Sequence, residues 1–143
     1  MEDSVLSSLL RINRQRLRAL RRELAPLHYV GCMHLILLYV SHHPGASQED
    51  IACFHAIDKT SIARDARRLE DLEHIRRELS PGDRRQYQLF LTEEGQNMVA
   101  RLRKIYDDFQ KKLSAGVSEE DWQLLASLLK QLEHNCCSIP PRP

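Results

Sequence analysis

A mainly α-helical fold carrying one small β-hairpin is what this sequence predicts. Long stretches free of Gly and Pro place apolar residues at helical spacing, and capping residues stand at their heads. One short segment switches to strand-like composition around a strong turn. The 143 residues suffice to bury a core without metal or disulfide support, and a chain that is 29% charged, rich in Leu and poor in aromatics suits a helical protein.

The first helix is expected from Asp3 to Leu24. Leu6, Leu10, Leu17, Leu20 and Leu24 form its apolar stripe, with Asn13 where the stripe would be completed. Arg11, Arg14, Arg18, Arg21 and Arg22 lie largely on another face, and Pro26 marks the end. One subunit's core need not cover so long a stripe, and a second chain would. Asn13 then either fixes register at that seam or stays partly exposed. The arginines read better as a solvated edge facing acids such as Asp107 and Asp108 than as contacts to flanking phosphates.

A second helix is expected from about His28 to His42, carrying Leu35-Ile36-Leu37-Leu38 and stopped by His43-Pro44-Gly45. Ser47-Gln48-Glu49-Asp50 has the capping-box pattern and opens a short helix to about Phe54. Ile57-Asp58 breaks it, and Asp58 caps a further helix from Lys59 to about Glu73. Two short helices with a tight connection make a helix-turn-helix unit.

After Ile75 the period changes. Arg76–Leu79 and Tyr87–Leu91 read as strands around the turn Ser80-Pro81-Gly82-Asp83, which places a hairpin, a wing, directly after the second helix of the motif. Thr92 caps a long helix with the stripe Met98, Leu102, Ile105, Phe109 and Leu113, and Gly116 ends it. Ser118-Glu119-Glu120-Asp121 repeats the capping pattern. The last helix carries Trp122, Leu125, Leu128, Leu129 and Leu132 before the tail Ile139–Pro143 frays.

The net charge is only +1, so a nucleic-acid partner has to be inferred from where charge sits. In the Lys59–Glu73 helix, Ile62, Ala66 and Leu69 share the inward face, and Thr60, Ser61, Arg64, Asp65, Arg67 and Arg68 are expected outward. Short hydroxyl residues near a helix start, followed one turn later by Arg, suit a major groove, where a guanidinium pairs with guanine O6 and N7. Taken alone, that face reads better as a solvated one with ion pairs such as Arg67 with Asp71. Coupling to the hairpin favours DNA. Arg84 and Arg85 stand at the wing tip, where a narrow minor groove attracts guanidinium. Lys59 suits a phosphate, and Asp83 is expected to pair with a nearby arginine and hold the turn.

The stretch Ile51–Gly95 resembles the MarR family of winged helix-turn-helix regulators. The resemblance is carried by Asp58-Lys59-Thr60-Ser61, Arg68-Leu69-Glu70, Asp83-Arg84-Arg85 and Leu89-x-Leu91-Thr92-x-x-Gly95, in this order and spacing. It implies a single domain over residues 1–143, with dimerisation helices at 3–24 and 93–136 and a winged helix-turn-helix at 45–91. It further implies a homodimeric repressor on a pseudo-palindromic operator of double-stranded DNA, released by a small phenolic or lipophilic ligand or by cysteine oxidation. The contacts would be Ser47, Gln48, Lys59, Thr60, Ser61, Arg64, Arg68, Arg84 and Arg85. By position, His28, Tyr29, Cys32, Met33 and Tyr106 are candidates to line the effector cleft. One departure stands out. Relatives usually place Gly shortly after Arg-Leu-Glu, and here Asp71-Leu72-Glu73-His74 stands instead. Either the helix runs further or a non-glycine residue bears a strained cap.

Cys32, Cys53, Cys136 and Cys137 suggest no disulfide framework and are expected to be reduced thiols. Adjacent Cys136-Cys137 would make an intermolecular disulfide or a redox sensor if their thiols were activated, and otherwise are two small residues on a fraying end. His28 and Cys32 have an i,i+4 zinc spacing, but two ligands do not make a site, so no metal and no cofactor are expected. No nucleophile motif, phosphate-cradling loop or complete metal motif is present, and an enzyme is not expected. No export signal opens the chain, and the longest apolar run, Leu35–Val40, is too short to span a bilayer, so a cytoplasmic protein without a membrane partner is expected. The competing readings are a metal- or redox-gated regulator and a winged-helix interaction module that has lost DNA binding.

Overall fold

A computed structural model describes residues 4–137. The expected fraying of Ile139–Pro143 lies outside the described residues. Contacts divide the chain into two compact units, one reaching Asp107 and one starting at Asp108. The order of elements is α1 (Val5–Leu24), α2 (Met33–His42), β1 (Ala46–Ser47), α3 (Gln48–His55), α4 (Lys59–Asp71), β2 (Ile75–Leu79), β3 (Tyr87–Leu91), α5 (Glu93–Leu113) and α6 (Glu119–Cys137). Mainly helical with a wing is the architecture found.

The caps expected at Ser47 and Asp58 are found, and Ser4 adds one at the head of α1. The Ser4 hydroxyl accepts from the Ser7 N–H, and Asp58 accepts from the Ser61 N–H. Ser47 and Asp50 form the complete reciprocal capping box at the head of α3. Ala56, with φ of 52°, ends α3 in a left-handed residue and turns the chain into α4.

Two expectations are corrected. The second helix starts at Met33, not His28. A turn of 3-10 helix over Ala25–Leu27 ends in His28 at φ 60°, and Gly31 follows at φ 56°. His28 and Cys32 therefore share no helix, and the i,i+4 metal spacing drawn from that helix does not exist. Among the described residues no group of three or more His, Cys, Asp or Glu side chains is placed to hold a metal. The fourth helix stops at Asp71, and Glu73 takes φ of 58°. Of the two outcomes open at the missing glycine, the strained non-glycine cap is the one realised.

The sheet has three strands in the order β1-β3-β2, all antiparallel. β2 and β3 form the wing with Ile75 opposite Leu91 and Leu79 opposite Tyr87. The two-residue strand β1 joins its far edge, Ala46 opposite Leu89. Two residues carry no periodicity, so this strand leaves no signal in the sequence.

The core of the first unit gathers Ile36, Leu37, Ile51, Ile62, Leu69, Ile75, Leu89 and Leu102, all fully buried or nearly so. Each such side chain contributes about 1.5–3 kcal/mol through burial. α4 is thus pinned from below by Ile62, Ala66 and Leu69, which leaves its other faces for function. In the second unit Gly116, at φ 81°, turns the chain, and the Ser118 hydroxyl accepts from the Asp121 N–H to start α6. Leu124, Leu125, Leu128 and Leu132 of α6 are exposed, as are Val5, Leu6 and Leu10 of α1. No helix among the described residues is long and apolar enough to cross a membrane.

Candidate nucleic-acid interface

α4 presents Lys59, Thr60, Arg64, Arg67 and Arg68 to solvent. Lys59 begins the helix and pairs with Glu49 of α3 at 2.7 Å. Ser61 is half-buried and already engaged. Its N–H and its hydroxyl both donate to Asp58, at 2.8 and 2.9 Å, so it serves the cap first.

Asp65 corrects the outward face drawn from the sequence. Its carboxylate is fully buried, at 0% exposure. One oxygen, Oδ1, accepts from Arg64 Nε at 3.2 Å and from Arg68 Nη1 at 2.9 Å. The other, Oδ2, accepts from the Cys32 backbone N–H at 2.9 Å and the Cys32 thiol at 3.0 Å. Burial works to raise its pKa, but hydrogen bonds from Cys32 and the Arg64 guanidinium outweigh it and hold the carboxyl below its ordinary value. The spacing was a readable signal, since Asp65 lies three residues after Ile62 and four before Leu69. Its charge argued for solvent, and the partner that permits burial stands far away in sequence.

The wing tip is closed by backbone bonds from Ser80 N–H to Gln86 carbonyl and from Gln86 N–H to Asp83 carbonyl, at 2.9 and 3.0 Å. The second bond makes Arg84 and Arg85 the central residues of a turn, both exposed. Asp83 does hold this turn, though not by an ion pair. Its Oδ1 accepts from the Arg85 backbone N–H at 2.9 Å. The base of the wing is fastened to α4 by residues the sequence did not single out. Arg77 of β2 pairs with Glu70 of α4 and lies over the Tyr87 ring of β3, 5.0 Å from its centroid.

These parts meet. Ser47, Gln48, Lys59, Ala63, Arg85 and Tyr87 line one concavity of about 220 Å³, so the heads of α3 and α4 and the wing loop face a common space. Six expected contacts (Ser47, Gln48, Lys59, Thr60, Arg64 and Arg85) are thus on the surface of α3, α4 or the wing, and Arg68 and Arg84 flank them.

The expected effector residues are not brought together. Tyr29, Cys32 and Met33 are buried in the core, and His28 is exposed. The Tyr29 hydroxyl is spent on His74 Nδ1 at 2.6 Å. Of the five, Tyr106 lines a cleft of about 260 Å³ with Arg16, Leu35, Tyr39, Phe54 and His55. His55 Nε2 is buried there without a hydrogen-bond partner among the described residues. Cys53 and Cys136 are exposed, and the Cys137 side chain lies outside the described set.

A helix-turn-helix whose second helix is followed at once by a fastened two-stranded wing defines a winged helix-turn-helix protein. The chain is similar to the MarR family, whose model matches residues 34–86. A Thauera aromatica protein described as regulating transcription of the hcr operon is 33% identical over 105 residues, 73% of this chain and 63% of that protein. The chain therefore matches less than two thirds of that relative's length. A crystal structure of MarR is 28% identical, with 96% of this chain and 93% of that one covered and a TM-score of 0.85. The regulator SlyA is 25% identical, with 94% of each chain covered and a TM-score of 0.87. A Listeria monocytogenes chain described as a MarR family regulator, solved with a 26mer DNA, shares the fold at 21% identity, 93% and 89% coverage and a TM-score of 0.87.

Proposed function

We propose that this chain is a cytoplasmic DNA-binding transcriptional regulator, a homodimeric repressor that binds a pseudo-palindromic operator and is released by a small phenolic or lipophilic ligand. The observation that carries the reading is the shared concavity of Lys59, Gln48 and Arg85, which lets one duplex meet α4 and the wing together. α4 enters the major groove with Thr60 and Arg64 toward the bases, while Ser47, Gln48 and Lys59 hold phosphates and Arg84 or Arg85 enters the minor groove. The Listeria monocytogenes relation in complex with DNA supports a duplex as partner for this fold.

Dimerisation through α1 and the α5–α6 end accounts for the apolar side chains left exposed on α1 and α6. The cleft beside Tyr106 suits the effector. Its aromatic walls take a ring, His55 Nε2 lacks a partner that a phenol hydroxyl would supply, and Arg16 offers a charge.

Selection from random duplexes with the purified full chain tests the reading. Enrichment of a pseudo-palindrome whose affinity falls steeply with salt is expected. If no sequence is enriched at low salt, the DNA-binding reading fails. Release of the selected duplex by simple phenols, and loss of that release in Arg16→Ala, test the effector assignment.

A further inference from the structure

We propose that Asp65 is a positioning residue of the reading head: its buried carboxylate fixes the Arg64 and Arg68 guanidinia and couples them to the Gly31–Cys32 turn ahead of α2. The proposal rests on the reading of α4 as the helix that meets the duplex.

An ionised carboxylate accepts hydrogen bonds at about four lone-pair positions. Asp65 uses four. Oδ1 serves the two arginines and Oδ2 serves the two donors of Cys32. Arg64 is gripped by Nε, which leaves both terminal nitrogens for the parallel bonds that recognise guanine. Arg68, one turn on, is gripped by Nη1. Two long side chains that would otherwise sample many rotamers are tethered at their inner ends, with side chains still 54% and 47% exposed. Ordering them before DNA arrives removes part of the entropy cost of ordering them on it.

The other side of the carboxylate is shaped to receive it. Gly31 sits at φ +56°, and a Cβ there would stand 2.4 Å from Asp65 Oδ2. The absence of a side chain is what lets the turn close over the oxygen. Burial, then the neighbouring Asp65, push the Cys32 thiol up to about 12, so it remains a protonated donor. The turn before α2 and the reading arginines are therefore joined through one side chain.

A carboxylate beneath a DNA-facing surface has a second, opposite effect: it repels phosphate. This makes the roles separable. If Asp65 acts only through charge, Asp65→Asn tightens binding to every duplex. If it positions the arginines, Asp65→Asn weakens the selected duplex while leaving a scrambled one unchanged or tighter.

The full-length protein carrying Asp65→Asn, checked for folding by circular dichroism, is titrated at fixed salt against the selected duplex and a scrambled one. The specific-to-scrambled affinity ratio is expected to fall at least about tenfold. Cys32→Ser, which keeps a donor, is expected to hold the ratio near wild type, and Cys32→Ala to lower it. An unchanged ratio in folded Asp65→Asn, or equal tightening on both duplexes, overturns the proposal alone. If Asp65→Asn fails to fold, equal ratios for Cys32→Ser and Cys32→Ala overturn it. A wild type that enriches no sequence overturns the duplex-reading assignment itself, and the proposal with it.

Discussion

The Thr92 hydroxyl donates to the Glu73 carbonyl at 2.5 Å, and it accepts from the Gly95 N–H at 3.0 Å. One side chain thus caps α5 and grips the left-handed residue between α4 and the wing. Thr92 N–H also donates to the His74 carbonyl at 3.1 Å. The glycine missing after Glu70 is replaced by a residue held in place from outside. A left-handed non-glycine residue costs about 1–2 kcal/mol. Glu73→Gly should therefore stabilise by about 0.5–1 kcal/mol after the added chain entropy of Gly. Thr92→Val should destabilise by about 1–2 kcal/mol. Urea denaturation of the two variants checks both signs.

Gly95 is fixed by approach rather than by dihedral angle. A Cβ there would stand 2.0 Å from the His74 carbonyl oxygen, a backbone atom that cannot step aside. Gly95→Ala is expected to cost about 1–3 kcal/mol or more. A thermal melt indistinguishable from wild type would show that this junction is looser than its geometry.

Substitutions on the two parts proposed to meet DNA should differ in kind. Arg64→Ala should cost about 1–3 kcal/mol on the selected duplex and relax preference at one base position. Arg84→Ala or Arg85→Ala should weaken all duplexes more evenly, with little change in base preference. Binding isotherms at several salt concentrations separate these outcomes, and identical behaviour of Arg64→Ala and Arg85→Ala would contradict the division of labour.

Stability should depend on pH through buried histidines. His34 is 6% exposed, and burial, then the charges of Arg16 and His55, lower its pKa to about 4. Burial also lowers His55 and His74. The unfolded chain thus binds protons between about pH 6.5 and 4 that the folded chain excludes, so stability is full above that window and declines as pH falls through it. The slope for one such group approaches about 1.4 kcal/mol per pH unit. Denaturation midpoints measured from pH 7.5 to 4.5 should fall, and less steeply in His34→Gln; parallel curves would refute the assignment to His34.

The thiols should divide by burial. Cys53 and Cys136 are exposed, whereas Cys32 is buried and held protonated beside Asp65. Iodoacetamide near pH 8 should label Cys53 and Cys136 in the native protein and reach Cys32 only after unfolding. Peptide mass mapping with and without denaturant reads this directly, and rapid native labelling of Cys32 would count against its bond to Asp65.

Local chemistry alone determined much of this molecule. The caps at Ser47 and Asp58, the helix stripes, the wing and the exposed tip at Arg84 and Arg85 follow from interactions within a few residues, which sequence spacing records directly. The junction after Glu70 is abnormal in sequence and admits two endings for the helix, and Thr92, from the far end of the wing, decides between them. The start of α2 depended on left-handed residues at His28 and Gly31, and β1 exists only because β3 lies beside it. Above all, Asp65 became a buried anchor because Cys32 donates to it twice across a separation of 33 residues. A charge is buried only where its partners are supplied in three dimensions. Composition and periodicity carry no record of that supply, so the tertiary structure alone decided it.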